Sequence, residues 1–241
     1  MTIQLDVCCF WRFLYLRQGV NDDEAMPYVV GRLTGYRTNN FGFVGYGPHQ
    51  MLAAIEHGIV FTLVKCRPRL VVYQAIPDHA WRAAGKAPWD SHGPHYEVTN
   101  EGLKYVGHFD DERARSAASR LRRYPRHSSL YRRFIETRVT TGDIRRFAET
   151  VAAARDKLGQ LYPSASFLVI MWDPAASKKL AMLEADSLTA RHIKTVLISD
   201  ILPGYGDASM QAGFVVSAND QHPTATAHRL IAEYVAGELI H

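Results

Sequence analysis

Three short segments of this chain hold side chains that can do chemistry. Near the carboxyl end it reads Asn219-Asp220-Gln221-His222-Pro223, followed by an apolar stretch with helical spacing. An imidazole two residues after an aspartate can serve as a general base, with the carboxylate holding its tautomer and stabilising the imidazolium. Pro223 suits a first helical turn, so His222 is expected at or just before a helix start. The plainer alternative is that Asp220 caps that helix and His222 is an exposed loop residue. The second segment is Asn40-Phe41-Gly42-Phe43-Val44-Gly45-Tyr46-Gly47-Pro48-His49-Gln50. Glycines between a strand and a helix let backbone approach a ligand, and the N–H groups that follow can face an anion. It is equally a tight turn without a ligand, and it is neither a dinucleotide nor a phosphate-loop fingerprint. The third is Ile76-Pro77-Asp78-His79-Ala80-Trp81-Arg82, directly after an apolar strand. Open α/β sheets bind ligands at such carboxyl ends. Here too a plain helix cap, Asp78, with an incidental His79 is the competing reading.

The elements that must position these residues follow from the apolar pattern. Short, nearly continuous apolar runs predict strands at Val7 to Trp11, Thr38 to Val44, Leu70 to Ala75, Phe167 to Trp172 and Thr195 to Ser199. Such runs suit a parallel sheet covered on both faces. Helical spacing predicts helices over Pro48 to Val64, Asp143 to Leu161 and about Pro223 to Leu239, the second with its start signal at Thr141-Gly142-Asp143. Strand and helix in alternation predict a three-layer α/β/α sandwich with a mostly parallel sheet of about five strands. Residues 86–110 read as a loop and a hairpin turning at Asn100-Glu101-Gly102, and 199–219 as a second irregular stretch. One domain over 1–241, with an insertion over 86–140, is the expected organisation.

The chain has 241 residues, 47% hydrophobic and 22% charged, which excludes a disordered, collagen-like or coiled-coil protein. No apolar run is long enough to span a membrane, and residues 1–20 lack the pattern of a secretory signal. A cytoplasmic location is the expectation for the chain as written. Three cysteines, Cys8, Cys9 and Cys66, do not describe a disulfide framework. The net charge of +4 is uneven, because residues 113–138 hold nine Arg and one acid, Glu136. That segment is expected to be a solvated helical insertion with Tyr124, Tyr131 and Phe134 packed inward. The alternative is a basic face for an anionic polymer or membrane surface, but no stacking or readout motif accompanies it. His79, His92, His95 and His108 fall near the insertion without metal-ligand spacing, so no metal site is assigned.

Taken together, the three segments resemble the SGNH or GDSL ester hydrolases over about residues 19–239. The family carries a serine in a Gly-Asp-Ser-like context, then a glycine, an asparagine and an Asp…His-Pro pair. Asn40 to Gln50 is similar to the second block, and the final pair resembles Asp220, His222 and Pro223. The resemblance implies a flavodoxin-like sheet and hydrolysis of an acyl or acetyl ester of a lipid or carbohydrate, with no cofactor and no nucleic acid partner. His222 would be the base, Asp220 its orienting group and Gly45 an oxyanion donor. Asp78, His79 and Arg82 would lie on the oxyanion and substrate side. Trp81, Trp89, His95 and Tyr96 are further candidates for lining it.

The chain also departs from that family. Asp78 stands where an asparagine amide should donate, and an ionised carboxylate cannot donate to an oxyanion. Asp220 precedes His222 by two residues where the family has three. Most of all, the serine is missing. After the first strand the chain reads Phe10-Trp11-Arg12-Phe13-Leu14-Tyr15-Leu16-Arg17, and Ser91, Ser128 and Ser209 have no strand-to-helix setting. Back-translation offers a reason. Read one base later, residues 10–17 permit Ser-Gly-Gly-Ser-Phe-Thr-Phe-Gly, or the same with Asp third, with the first glycine forced. Met1-Thr2 becomes a stop in that frame. A single-base slip in the gene, or a true non-catalytic ester- or glycan-binding protein, are the two readings that follow.

Overall fold

The structure is a computed structural model, and it describes residues 6–12, 20–111, 138–205, 207, 213–217 and 219–240, with backbone only for 6–12. The expectations that fall on the Arg-rich segment therefore lie outside the described residues, Arg138 excepted. Nine strands are described: β1 (Asp6–Arg12), β2 (Arg37–Asn40), β3 (Leu70–Ala75), β4 (Pro94–Thr99), β5 (Gly102–His108), β6 (Ser166–Met171), β7 (Lys194–Leu197), β8 (Val215–Ser217) and β9 (Asp220–Pro223). The helices are α1 (Met26–Thr34), α2 (Pro48–Glu56), α3 (Ile59–Leu63), α4 (Asp78–Ala83), α5 (Thr141–Leu161), α6 (Lys178–Thr189), α7 (Ile198–Ile201) and α8 (Ala225–Ile240).

Five strands make one parallel sheet in the order β2-β1-β3-β6-β7, a doubly wound arrangement. Its central strand, LVVYQA, is buried at every position because both faces are covered. Alternation along β3 divides the core. Val71, Tyr73 and Ala75 face α2, α5 and α6, packing with Met51, Leu52, Phe147, Val151 and Leu188. Leu70 and Val72 face the other way, against Met26 and Val30 of α1 and Ile231 and Val235 of α8. The three-layer α/β/α expectation is met. No described helix is long and apolar enough to cross a membrane.

Five local expectations shift. The predicted strand 38–44 stops at Asn40, because the glycine turn begins there. The predicted helix 48–64 breaks at His57-Gly58, where Gly58 takes a left-handed φ of 71° that ends α2 and starts α3. The predicted strand 195–199 yields to α7 at Ile198, whose Ser199 N–H and hydroxyl are both taken by buried Asp173. Pro223 is not in a helix. It ends β9, which pairs with β8, and α8 starts at Ala225. The start of α5 is capped one residue earlier than its signal, by Thr140, whose hydroxyl accepts from Asp143 N–H at 3.2 Å. The hairpin predicted about Asn100-Glu101-Gly102 forms as β4–β5.

Candidate functional site

In a parallel sheet all strand carboxyl ends share one edge. The turns after β2, β3 and β6 therefore rise from the same rim. The Asp220–His222 segment reaches that rim from behind. Helix α1 connects parallel β1 and β2, so its first turn lies at the carboxyl edge. The Met26 N–H in that turn donates to His228 Nδ1 in the first turn of α8, at 3.3 Å. The start of α8, with His222 three residues before it, sits at the same edge.

Within β9, two bonds hold Asp220 and His222 together. The Asp220 carboxylate accepts the His222 backbone N–H at 3.1 Å and pairs with the imidazole through Nδ1. These contacts, the backbone one first, hold the Asp220 carboxyl below the usual carboxylate range. The pairing to the carboxylate runs through Nδ1, the ring nitrogen nearer the backbone. This is the geometry by which a carboxylate orients a general base.

The glycine turn is braced from three sides. Gly45 has a left-handed φ of 79°, and a Cβ there would lie 2.9 Å from Trp89 Nε1, so only glycine fits. The Trp89 indole N–H donates to the Gly45 carbonyl at 3.2 Å. Arg82 Nη1 donates to the Tyr46 carbonyl at 2.8 Å, and its guanidinium lies over the Trp89 ring. The Gly47 N–H donates to Gln50 Oε1 at 2.6 Å, while Gln50 Nε2 donates to Asp90 Oδ2 at 2.6 Å. His49 Nε2 adds a second contact to Asp90 Oδ2, at 2.7 Å. Burial depresses the His49 pKa against the pull of Asp90, which favours the neutral ring as donor. With both carbonyls and the Gly47 N–H fixed, the Gly45 N–H has no hydrogen-bond partner among the described residues.

The third segment divides. Asp78 is exposed at the start of α4. His79 is fully buried, its Nδ1 sharing a 2.7 Å hydrogen bond with the Tyr73 hydroxyl. Burial first, then the Arg82 and His49 charges, drive the His79 pKa well down. His79 and Arg82 are both buried, Arg82 bracing the turn at the Tyr46 carbonyl and His79 bonded to Tyr73 of β3. Tyr96 and His95 are also buried, Tyr96 donating to Glu56 at 2.5 Å and His95 packed on Phe109. Of the lining candidates, Trp89 is exposed and Trp81 half-buried beside it, ring centroids 5.6 Å apart.

Sequence reasoning passed over two groups. Asp90 has no motif around it, and only the 86–93 loop folding onto α2 brings it to Gln50. Glu184 lies on the apolar stripe of α6, between Ala181 and Leu188, fully buried with both carboxyl oxygens unpartnered among the described residues. Burial, and secondarily the Asp78 charge, push it up to about 9. No cluster of metal-ligating side chains is found among the described residues.

No family model matches the chain, and no curated protein matches it. Solved structures do. A protein assigned to the lipolytic G-D-S-L family from Desulfitobacterium hafniense superposes with a TM-score of 0.55 at 11% identity, covering 97% of this chain and 98% of that one. A member of the same family from Veillonella parvula gives 0.50 at 15% identity, with 97% of each chain covered. A carbohydrate esterase, whose active site is described as having divergent catalytic and non-catalytic binding functions, gives 0.52 at 9% identity, covering all of this chain and 66% of that one. The residue that follows β1 in sequence, position 13, is Phe, and residues 13–19 contain no serine. The strand order, the layers and these likenesses together give the chain the fold of the SGNH, or G-D-S-L, hydrolases.

Proposed function

We propose that the rim is an ester-handling site of the serine-hydrolase kind, standing in this chain without its nucleophile. The observation that carries the reading is the Asp220 carboxylate bonded to Nδ1 of His222 at the edge where the braced Gly45 turn also stands. Given a serine just after β1, its Oγ would attack the ester carbonyl carbon while His222 Nε2 takes the proton. The tetrahedral oxyanion would lie on the Gly45 N–H. His222 would then protonate the departing alkoxide, and water would repeat the sequence to release the acid. Asp220 would orient the imidazole throughout. Asp78 would be a poor neighbour for the oxyanion, because an ionised carboxylate only accepts.

Phe13 favours a second reading, a protein that binds an ester or glycan without turning it over. One comparison separates the two. The chain as written and a serine-restored chain, with residues 10–17 replaced by Ser-Gly-Asp-Ser-Phe-Thr-Phe-Gly, are assayed on p-nitrophenyl acetate and a panel of longer acyl and sugar esters. Turnover by the restored chain, abolished by His222→Ala, supports the hydrolase reading. Inactivity of both chains across the panel rejects it in favour of the binder. The gene sequence over codons 8–18 tests the slip directly, since an unambiguous TGG-CGN-TTY frame in several isolates excludes it.

A further inference from the structure

The segment that leads into the central strand is amphiphilic and exposed. Residues 57–69 read HGIVFTLVKCRPR, with no acid among them. They form α3 and the loop that feeds the amino end of β3, so they lie at the edge of the sheet opposite the rim. Val60 and Val64 are buried and fasten the short helix to the core. At about 100° per residue, Ile59 and Leu63 then fall on one flank of α3 and Phe61 on the other. Ile59, Leu63 and Phe61 stand out, 48%, 59% and 60% exposed. Lys65, Arg67 and Arg69 follow directly, each exposed, with buried Pro68 pinning the loop between the last two. Arg69 is fixed at this edge, its Nη1 donating to the Tyr36 hydroxyl at 2.8 Å and its carbonyl accepting the Ser166 N–H. Lys65 and Arg67 form no ion pair among the described residues. Glu56, the acid that precedes the segment, is already taken by Lys157 at 3.3 Å and by the Tyr96 hydroxyl.

The pattern selects the partner. Three half-exposed side chains cannot supply the ~800 Å² per partner that a stable protein interface buries. A nucleic acid would leave Ile59 and Leu63 unused, because neither offers a ring face on which a base can stack. A lipid surface uses every one of these groups. Apolar side chains enter the acyl boundary while cations meet anionic headgroups, and the two signals together hold a protein that either alone holds weakly. Charge on the far side adds orientation. Asp22, Asp23, Glu24, Asp78 and Asp90 sit on rim turns, so an anionic surface repels the rim and attracts the α3 edge.

We propose that α3 and the loop after it dock the chain on an anionic lipid bilayer. Ile59, Phe61 and Leu63 reach the acyl boundary, Lys65, Arg67 and Arg69 meet phosphate headgroups, and the rim faces solution. The docking does not rest on the ester reading, so an inactive serine-restored chain leaves it standing. The test is sedimentation of the full chain with vesicles of phosphatidylcholine alone and of phosphatidylcholine–phosphatidylglycerol. The mixed vesicles bind the chain, the neutral ones bind it less, and added salt weakens binding. Phe61→Ser with Leu63→Ser lowers the partition coefficient roughly ten-fold. Lys65→Ala and Arg67→Ala each lower it roughly five-fold at low salt. Arg122→Ala with Arg123→Ala, in the Arg-rich segment, is the comparison pair. In Phe61→Trp, brominated phosphatidylcholine in the mixed vesicles quenches an emission that the native chain lacks. Thermal unfolding verifies that each variant is folded. The proposal is overturned if the mixed vesicles do not bind the chain, whether or not single-stranded DNA does, or if only the Arg122 and Arg123 pair alters binding. Quenching of the native chain as strong as that of Phe61→Trp would put the rim in the bilayer and overturn it too. So would a dimer, seen by gel filtration without lipid, that Phe61→Ser with Leu63→Ser dissociates.

Discussion

Glu184→Gln is the perturbation whose effect can be worked most directly from the structure. Glu184 is 0% exposed, its carboxyl oxygens have no partner among the described residues, and its pKa is pushed up to about 9 by burial and then by the Asp78 charge. In the unfolded chain the same group titrates near its ordinary value of 4.5. Between those pH values the folded state keeps a proton that the unfolded state has released. Stability therefore falls as pH rises through that window, by up to about 1.4 kcal/mol per pH unit from this one group. The full window amounts to roughly 6 kcal/mol, a large share of the 5–15 kcal/mol that holds a typical domain folded. Glutamine has the same shape and does not titrate. Urea unfolding at pH 5, 6, 7, 8 and 9 then gives two curves. The native chain loses stability more steeply than the variant, the gap widening by roughly 2–3 kcal/mol between pH 6 and pH 8. In thermal scans that gap is about 5–10 °C. The comparison concerns the slope, so any constant offset from burying an amide does not matter. Parallel pH profiles would show that the Glu184 carboxyl is not held protonated, and the reasoning from its burial would fail.

Gly45→Ala should cost about 1–3 kcal/mol through its left-handed φ and displace Trp89, read as a lower Tm and a shifted tryptophan emission. In the serine-restored chain, Asp78→Asn should raise kcat by roughly 10²–10³ with little change in KM, because it exchanges an acceptor for an oxyanion donor; an unchanged kcat would place Asp78 outside the oxyanion site. Asp220→Asn in that chain should lower kcat by up to about 10⁴ while leaving the fold intact by circular dichroism, since the amide no longer secures the imidazole tautomer. Asp90→Ala should release the His49 and Gln50 contacts together and speed hydrogen exchange at the Gly47 amide, whose bond runs through Gln50.

Where local pattern and tertiary context agree, the elements were legible. LVVYQA and SFLVIM are strands because their uninterrupted apolar side chains fill both faces of a covered sheet. The spacing of Phe147, Val151, Ala154 and Leu158 makes α5 a helix for the same reason. Pro223 misled, because a proline suits a strand end as well as a helical first turn, and the β8 pairing that chose between them is a long-range matter. His79 and Arg82 were read as facing a substrate. The structure buries both, since depth depends on what the 86–93 loop and the Tyr73 hydroxyl place around them.

Side-chain order along the chain determined the alternation of strands and helices, the left-handed glycine turn and the closeness of Asp220 to His222, because each depends on neighbours a few residues away. Which groups share the rim was decided only in three dimensions. Trp89 against Gly45, Asp90 on Gln50 and His49, Arg82 on Tyr46, and Met26 against His228 are contacts between residues 36 to 202 positions apart. No periodicity spans such separations. They exist because a parallel sheet gathers distant turns at one edge, and because desolvation there sets which polar groups must find each other.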